Sequence, residues 1–280
     1  MRIKRQLDDP RALRDQAAGA VIFAFGATGP QPRPLAGPVL VALLGALGMS
    51  EPTARATILR MRRGGWLGST RVGPVVEYAL ADAARRMSAA VLAPVMEPRA
   101  PWDGTFHGLL FSIPETGRAY RDALRRAAVQ AGFGVLRPGL LIVADASRWS
   151  RIDGLLAQAP KGSRLLRAEL RLAPEDARAA AAEAWPLAEL AAAYRLHAAA
   201  LQRVADRLRL APPTGADAVR AMWEAMVPVS ATAIEDPVLP DELLPADWPS
   251  SDVRAAIEAA GMILGPAVQE YIRQLEHPNR

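Results

Sequence analysis

Between Ser50 and Leu80 the sequence changes its hydrophobic period once, and the change is marked by a pair of glycines. Before Gly64-Gly65, the apolar residues Ala54, Ile58 and Met61 recur at i, i+4 and i+7, the spacing of one helix face. After them, Trp66-Leu67 opens an extended stretch that returns through Val75, Val76, Tyr78 and Leu80, with Gly73-Pro74 as the turn. Ser50 stands where an N-cap belongs, its hydroxyl able to accept from an unpaired backbone N–H, and Pro52 falls in the first turn, where a missing donor costs nothing. Two helices are predicted upstream, over 17–27 and 38–47, separated by the proline-rich run from Thr28 to Pro34. Three helices followed by a hairpin is the order of a winged helix-turn-helix, whose third helix enters a DNA major groove.

Charge supports that reading. The net charge is +5, but residues 1–90 hold 13 Lys/Arg against 6 Asp/Glu, whereas residues 173–280 hold 9 against 16. A basic front and an acidic back direct a polyanion to the front. There are no cysteines, which excludes disulfides and thiolate metal sites and fits a reducing cytoplasm. The first residues are charged, and no apolar run reaches the roughly 18 residues needed to span a bilayer. A soluble, cytoplasmic protein without membrane contact is therefore expected.

The remaining chain divides in two. Prolines at 94, 98 and 101 mark a linker over 87–104. Then come a strand (105–113), a helix (115–131), strands near 132–136 and 140–144, a short helix (151–159) and a strand (165–172), the β-α-β-β-α-β order of a ferredoxin-like fold. From Pro174 the chain reads as helical. Leu187, Leu190, Tyr194, His197, Leu201, Val204 and Leu208 form a seam that packs internally or against a second subunit, and further helices are predicted near 217–226 and 251–275. The expected architecture is multidomain α+β: an extension (1–16), a winged helix-turn-helix (17–86), the linker, a ferredoxin-like domain (105–172) and a helical domain for dimerisation or effector binding (173–280).

With these segments in place, the chain resembles the PaaX family of bacterial repressors, named for control of phenylacetic acid degradation. The match lies in Leu47-Gly-Met-Ser-Glu-Pro-Thr-Ala-Arg-Ala-Thr-Ile-Leu-Arg-Met-Arg-Arg-Gly-Gly-Trp-Leu67, Trp102-Asp-Gly-Thr-Phe106 with Pro114-Glu115, Gly132-Phe-Gly-Val-Leu-Arg-Pro-Gly139, and the run from Asp236-Pro-Val-Leu-Pro240 to Leu244-Pro-Ala-Asp-Trp-Pro249. The resemblance implies a homodimeric repressor of an operon, released by a small-molecule effector; in founding members this is an aryl-acetyl-CoA thioester. Two positions depart from the pattern. The wing, basic in the family, here runs Pro74-Val75-Val76-Glu77, which leaves Arg71 at its base to touch phosphate, and His197 stands where the family has an aromatic residue.

Arg55, in the N-terminal half of the third helix, is the first choice for reading a base, since a guanidinium bonds bidentately to guanine O6 and N7. Thr53 is assigned to a base or a phosphate, and Arg60 to a phosphate or to bracing the module. Arg33, Arg62, Arg63 and Arg71 are phosphate candidates, which add affinity and salt dependence but no sequence choice. For Arg55 the alternative is a solvated surface arginine or an intramolecular ion pair. For the effector, Arg118, Arg121 and Arg125 share one side of a helix and suit the phosphates of an acyl-CoA; a solvated face is the alternative. Trp102, Trp185, Tyr194 and His197 are candidates for an apolar pocket, against core packing as the alternative. No cofactor, metal site or catalytic group is expected: the three histidines have no ligand spacing, and Gly132-Phe-Gly134 lacks a dinucleotide fingerprint because position 137 is Arg. Two other readings stay open, an interaction protein of the same fold in which Val75 and Val76 face a protein partner, and a nuclease-like enzyme using Asp103 and Asp145.

Overall fold

The computed structural model describes residues 16–29 and 31–277, so the predicted extension lies, but for Gln16, outside the described residues. In chain order the helices and strands are α1 Gln16–Gly26, β1 Leu35–Ala36, α2 Gly37–Ala46, α3 Glu51–Arg63, β2 Leu67–Val72, β3 Val75–Leu80, α4 Asp82–Ala90, α5 Ala93–Met96, β4 Phe106–Ser112, α6 Arg118–Gln130, β5 Gly134–Arg137, β6 Leu140–Val143, α7 Asp153–Leu156, β7 Arg164–Leu170, α8 Pro174–Ala184, α9 Leu187–Leu210, α10 Gly215–Glu235 and α11 Ser250–Glu276. They form two compact units that interleave along the chain, one of Met1–Met96, Tyr194–Glu235 and Ser250–Arg280, the other of Glu97–Ala193 and Asp236–Pro249. The stretch read as a helical C-terminal domain is thus divided between the units, and α9 begins in one and ends in the other.

The core of the first unit joins α1, α2 and α3 to α10 and α11. Val21, Phe25, Leu40, Leu43, Ile58 and Met61 pack with Ala218, Val219, Val268 and Ile272, all nearly inaccessible to solvent. The predicted stripe of α3 is the buried one, joined by Thr57. Ser50 is the N-cap residue of α3, but its hydroxyl makes no capping bond and instead lies 2.8 Å from Thr53 Oγ1, a correction to the expected backbone acceptor role. After α3, Gly65 adopts φ +76°, which ends the helix and turns the chain into β2. Gly73, at φ +59°, with Pro74 makes the two-residue hairpin turn, which pairs Val72 with Val75. The small sheet has the order β1-β3-β2. Its edge strand β1, two residues long, has no counterpart in the sequence reading.

The second unit is a four-stranded antiparallel sheet of order β5-β6-β4-β7. Side chains alternate across it. Leu109, Leu141 and Val143 meet Leu124, Ala128 and Phe133 of the α6 side, and Phe106 and Ile142 point to the opposite face, where α8 and Leu239, Leu243 and Leu244 cover them. Gly134 has no room for a side chain, since a Cβ there would come within 2.6 Å of the Trp185 ring.

Several predicted bounds are corrected. The linker 87–104 is partly helical, because α4 runs to Ala90, α5 follows, and Met87, Pro94 and Val95 are buried. The helix predicted over 151–159 is instead a 3-10 segment, Ala146–Arg151, followed by the single turn α7. The helix predicted near 217–226 continues through Pro228 to Glu235. No helix among the described residues is long and apolar enough to cross a membrane.

Candidate nucleic-acid interface

Burial of Ala54, Thr57, Ile58 and Met61 in the first unit's core leaves the opposite face of α3 to solvent. That face carries Thr53, Arg55, Arg60, Arg62 and Arg63, all exposed. Arg60, Arg62 and Arg63 occupy the last turn, where cations meet the negative end of the helix dipole. Arg55 is held one turn from the start: its Nε and Nη2 donate to Glu51 Oε1 at 2.9 and 2.7 Å. Both side chains are about two-thirds exposed, so the pair contributes little to stability, yet it extends the guanidinium along the helix surface. An incoming anion would meet the Glu51 carboxylate beside the guanidinium.

The hairpin departs from the expected geometry at one residue. Arg71 pairs across the ladder with Val76, one step from the Val72–Val75 pair at the turn, so it stands near the tip and not at the base. Its Nε donates to Gly73 O at 3.3 Å. Val72 and Val76 are exposed at this end, at 51% and 38%, while Val75 and Glu77 are half-buried and Pro74 exposed. Arg33 is also corrected as a phosphate candidate: its Nη2 donates to Glu276 Oε2 at 3.0 Å and its Nη1 to Oε1, so its planar fork is occupied by α11.

The effector candidates do not converge. Trp102 and Trp185 lie in the second unit, stacked around Phe106 with centroid distances of 5.2 and 6.3 Å. Their indole nitrogens donate to Thr105 O and Gly132 O, each at 3.2 Å, so both rings complete the core. Arg118, Arg121 and Arg125 are on α6, which covers the other face of that sheet; Arg121 faces Glu115 at 3.4 Å. Tyr194 and His197 belong to the first unit. Tyr194 is fully buried. His197 shares a 2.8 Å hydrogen bond with Thr232 and lines a cavity of about 240 Å³ between α9 and α10, with Arg207 and Glu224 also lining it. Burial lowers the His197 pKa below its ordinary 6.5. The folded protein therefore binds fewer protons than the unfolded chain once the pH falls below 6.5. We expect stability to decline from that point and to level off below the depressed folded value, and His197→Gln to flatten the decline in urea melts across pH 5–8.

Two features escaped the sequence reading. Arg99 and Asp236 form a buried ion pair in the second unit, 2.8 Å apart with side chains 3% and 0% exposed. Arg99 Nη1 also donates to Leu239 O at 3.0 Å, and Asp236 Oδ1 accepts from Val238 N at 2.7 Å, which holds Val238 at φ +55°. Beside this loop is a cavity of about 410 Å³, lined by Asp103, His107, Asp145, Arg148 and Val238 among others. The signal was the run of prolines and aspartates from 236 to 249, which has no period to read. Among the described residues, no group of three or more His, Cys, Asp and Glu is placed to hold a metal ion.

Comparison with known proteins is consistent along the chain. Residues 18–84 match the family described as "PaaX-like protein". Residues 99–159 match the "PaaX protein central Cas2-like domain", and residues 185–274 match the "PaaX-like protein C-terminal domain". The chain is 26% identical over 242 residues to the transcriptional repressor PaaX of Escherichia coli (strain K12), a match covering 84% of this chain and 76% of that protein. Its fold is similar to that of the uncharacterized protein Rv0674 from Mycobacterium tuberculosis, with a TM-score of 0.57 and 23% identity over 93% of this chain and 98% of the other. With all three segments matched in order and a repressor aligned across most of the length, the chain belongs to the PaaX family of transcriptional repressors.

Proposed function

We propose that the chain is a homodimeric repressor that binds double-stranded operator DNA through α3 and is released by a small acidic metabolite or an acyl-CoA. The observation that carries the reading is the sidedness of α3, whose stripe of Ala54, Ile58 and Met61 is in the core while Thr53, Arg55, Arg60, Arg62 and Arg63 face solvent. α1 to α3 followed by the β2–β3 hairpin supports a winged helix-turn-helix, with α3 in the major groove. The order β5-β6-β4-β7, all antiparallel, supports a ferredoxin-like second unit. For the effector, the solvent-facing Arg118 and Arg125 and the Arg207-lined cavity beside His197 offer cations to an acid, at separate places. One alternative keeps an observation of its own: Val72 and Val76, exposed at the hairpin tip beside Arg71, suit a protein partner.

The test is binding of the purified protein to a duplex from its own upstream region across a salt series. Arg55→Ala is expected to cost about 1–3 kcal/mol and to relax selectivity at one base pair. Arg62→Ala is expected to weaken all duplexes alike and to reduce the log–log salt slope by about 0.9. Binding indifferent to sequence and to Arg55 would remove the DNA reading and favour the protein partner.

A further inference from the structure

The two edges of the second unit's sheet differ. At β5 the ladder is interrupted by a register shift between Val135 and Arg137, a bulge of the kind that keeps an edge from pairing further. At β7 the seven-residue ladder to β4 is uninterrupted, and the strand contains neither proline nor glycine. Among the described residues no strand lies beyond it. Leu166 on this strand is 63% exposed, beside Leu110 of β4, which is 40% exposed. An open, regular edge bearing an exposed leucine invites another strand.

The sequence of β7 states which one. Leu166-Arg-Ala-Glu-Leu170 reads as its own complement about Ala168. If two copies pair antiparallel around a two-fold axis at Ala168, residue 166 of one faces residue 170 of the other, and 167 faces 169. Each facing pair lies on the same side of the sheet, as an antiparallel ladder requires. On one side two leucine pairs form, covering Leu166. On the other, Arg167 meets Glu169 twice, and the smallest side chain of the five sits at the axis. Arg167 is already positioned on that side: it bonds Asp153 and lies 4.5 Å over the Trp149 ring. Shifting the register by two residues, to an axis at residue 167 or 169, loses both charge pairs and sets Arg167 or Glu169 against its own copy.

We infer that β7 is a docking edge for a second copy of this chain, joining two sheets into one across a two-fold axis at Ala168. This rests on the homodimer in the proposed function and names its surface. The test uses the full-length protein without DNA, its association followed by sedimentation equilibrium. Arg167→Glu and Glu169→Arg, each placing like charges opposite one another, are expected to raise the dimer dissociation constant about tenfold or more. The combined swap restores facing opposites and is expected to recover association. Loss that the swap does not recover would mean that Arg167 acts only through Asp153 and Trp149, and would overturn the proposal. A second readout is independent of charge. Antiparallel partners bring Cα atoms about 4.5–5.5 Å apart, within disulfide reach, and the chain has no cysteine of its own. Oxidised Ala168→Cys is expected to form a covalent dimer, and Leu196→Cys, on the exposed side of α9, is not. A monomeric wild-type protein at micromolar concentration, or a dimer that Ala168→Cys fails to trap, refutes the edge pairing. Dependence of DNA binding on Arg55 is measured separately and survives either result.

Discussion

Asp236→Ala is expected to destabilise the second unit by about 3–5 kcal/mol, the cost of removing a buried cation's buried counter-charge, since the Asp241 carboxylate, 3.7 Å from Arg99 Nε, is itself exposed to solvent. Arg99 has 3% of its side chain exposed and cannot turn to water without opening the loop around Leu239. Losing the carboxylate also removes the acceptor of Val238 N, so a valine at φ +55°, an uncommon conformation for a β-branched residue, loses what holds it there. Replacing both partners, as in Arg99→Met with Asp236→Leu, is expected to cost much less than either single change, because no charge is left stranded. Urea titration and hydrogen exchange measure both. Exchange should accelerate in β4 to β7 and α8. A single substitution that leaves urea midpoint and exchange unchanged would show that the pair is not structural.

Ile272→Ala is expected to act on the other unit. Ile272 is fully buried in the core that contains Val21, Phe25, Ile58 and Met61, and truncating such a side chain costs about 2–5 kcal/mol. By the same free energy, the slowest-exchanging amides of α1 to α3 should exchange about 30-fold faster or more, with those of β4 to β7 unaffected. Operator binding should weaken with temperature before that of the wild type, although residue 272 is absent from the arginine-bearing face of α3. Equal acceleration in both units would show that they unfold together.

The sequence was legible where its patterns are local. The run from Ser50 to Leu80 could be read almost residue by residue, because a 3.6-residue period and then a hairpin are local patterns and Gly65 and Gly73 occupy the left-handed conformations that end each. The four central strands were found for the same reason. β1 was missed because two residues carry no period. Arg99 and Asp236 were missed because 137 residues separate them, and an isolated charge in sequence reads as solvated surface until its partner is placed. The arginine row on α6 was found correctly as a row, but spacing along one helix cannot reveal that the aromatic candidates Trp102 and Trp185 point into the opposite face of the sheet. Arg33 followed the same logic, since its partner Glu276 lies on the last helix.

The interleaving of the two units also sets a timetable for synthesis. The helix that bears Arg55 is complete early, yet the core beneath it waits for Ala218, Val219, Val268 and Ile272. At about 5–20 residues per second, a nascent chain spends on the order of ten to forty seconds between completing α3 and adding Ile272, with that core unfinished. The second unit, too, waits for residues 236–249 to close its sheet. A chain interrupted on the ribosome before residue 268 would carry the arginines of α3 on an unfinished scaffold. The capacity to occupy an operator would then arise late and all at once, and truncated products would be substrates for chaperones and proteases instead of competitors for DNA.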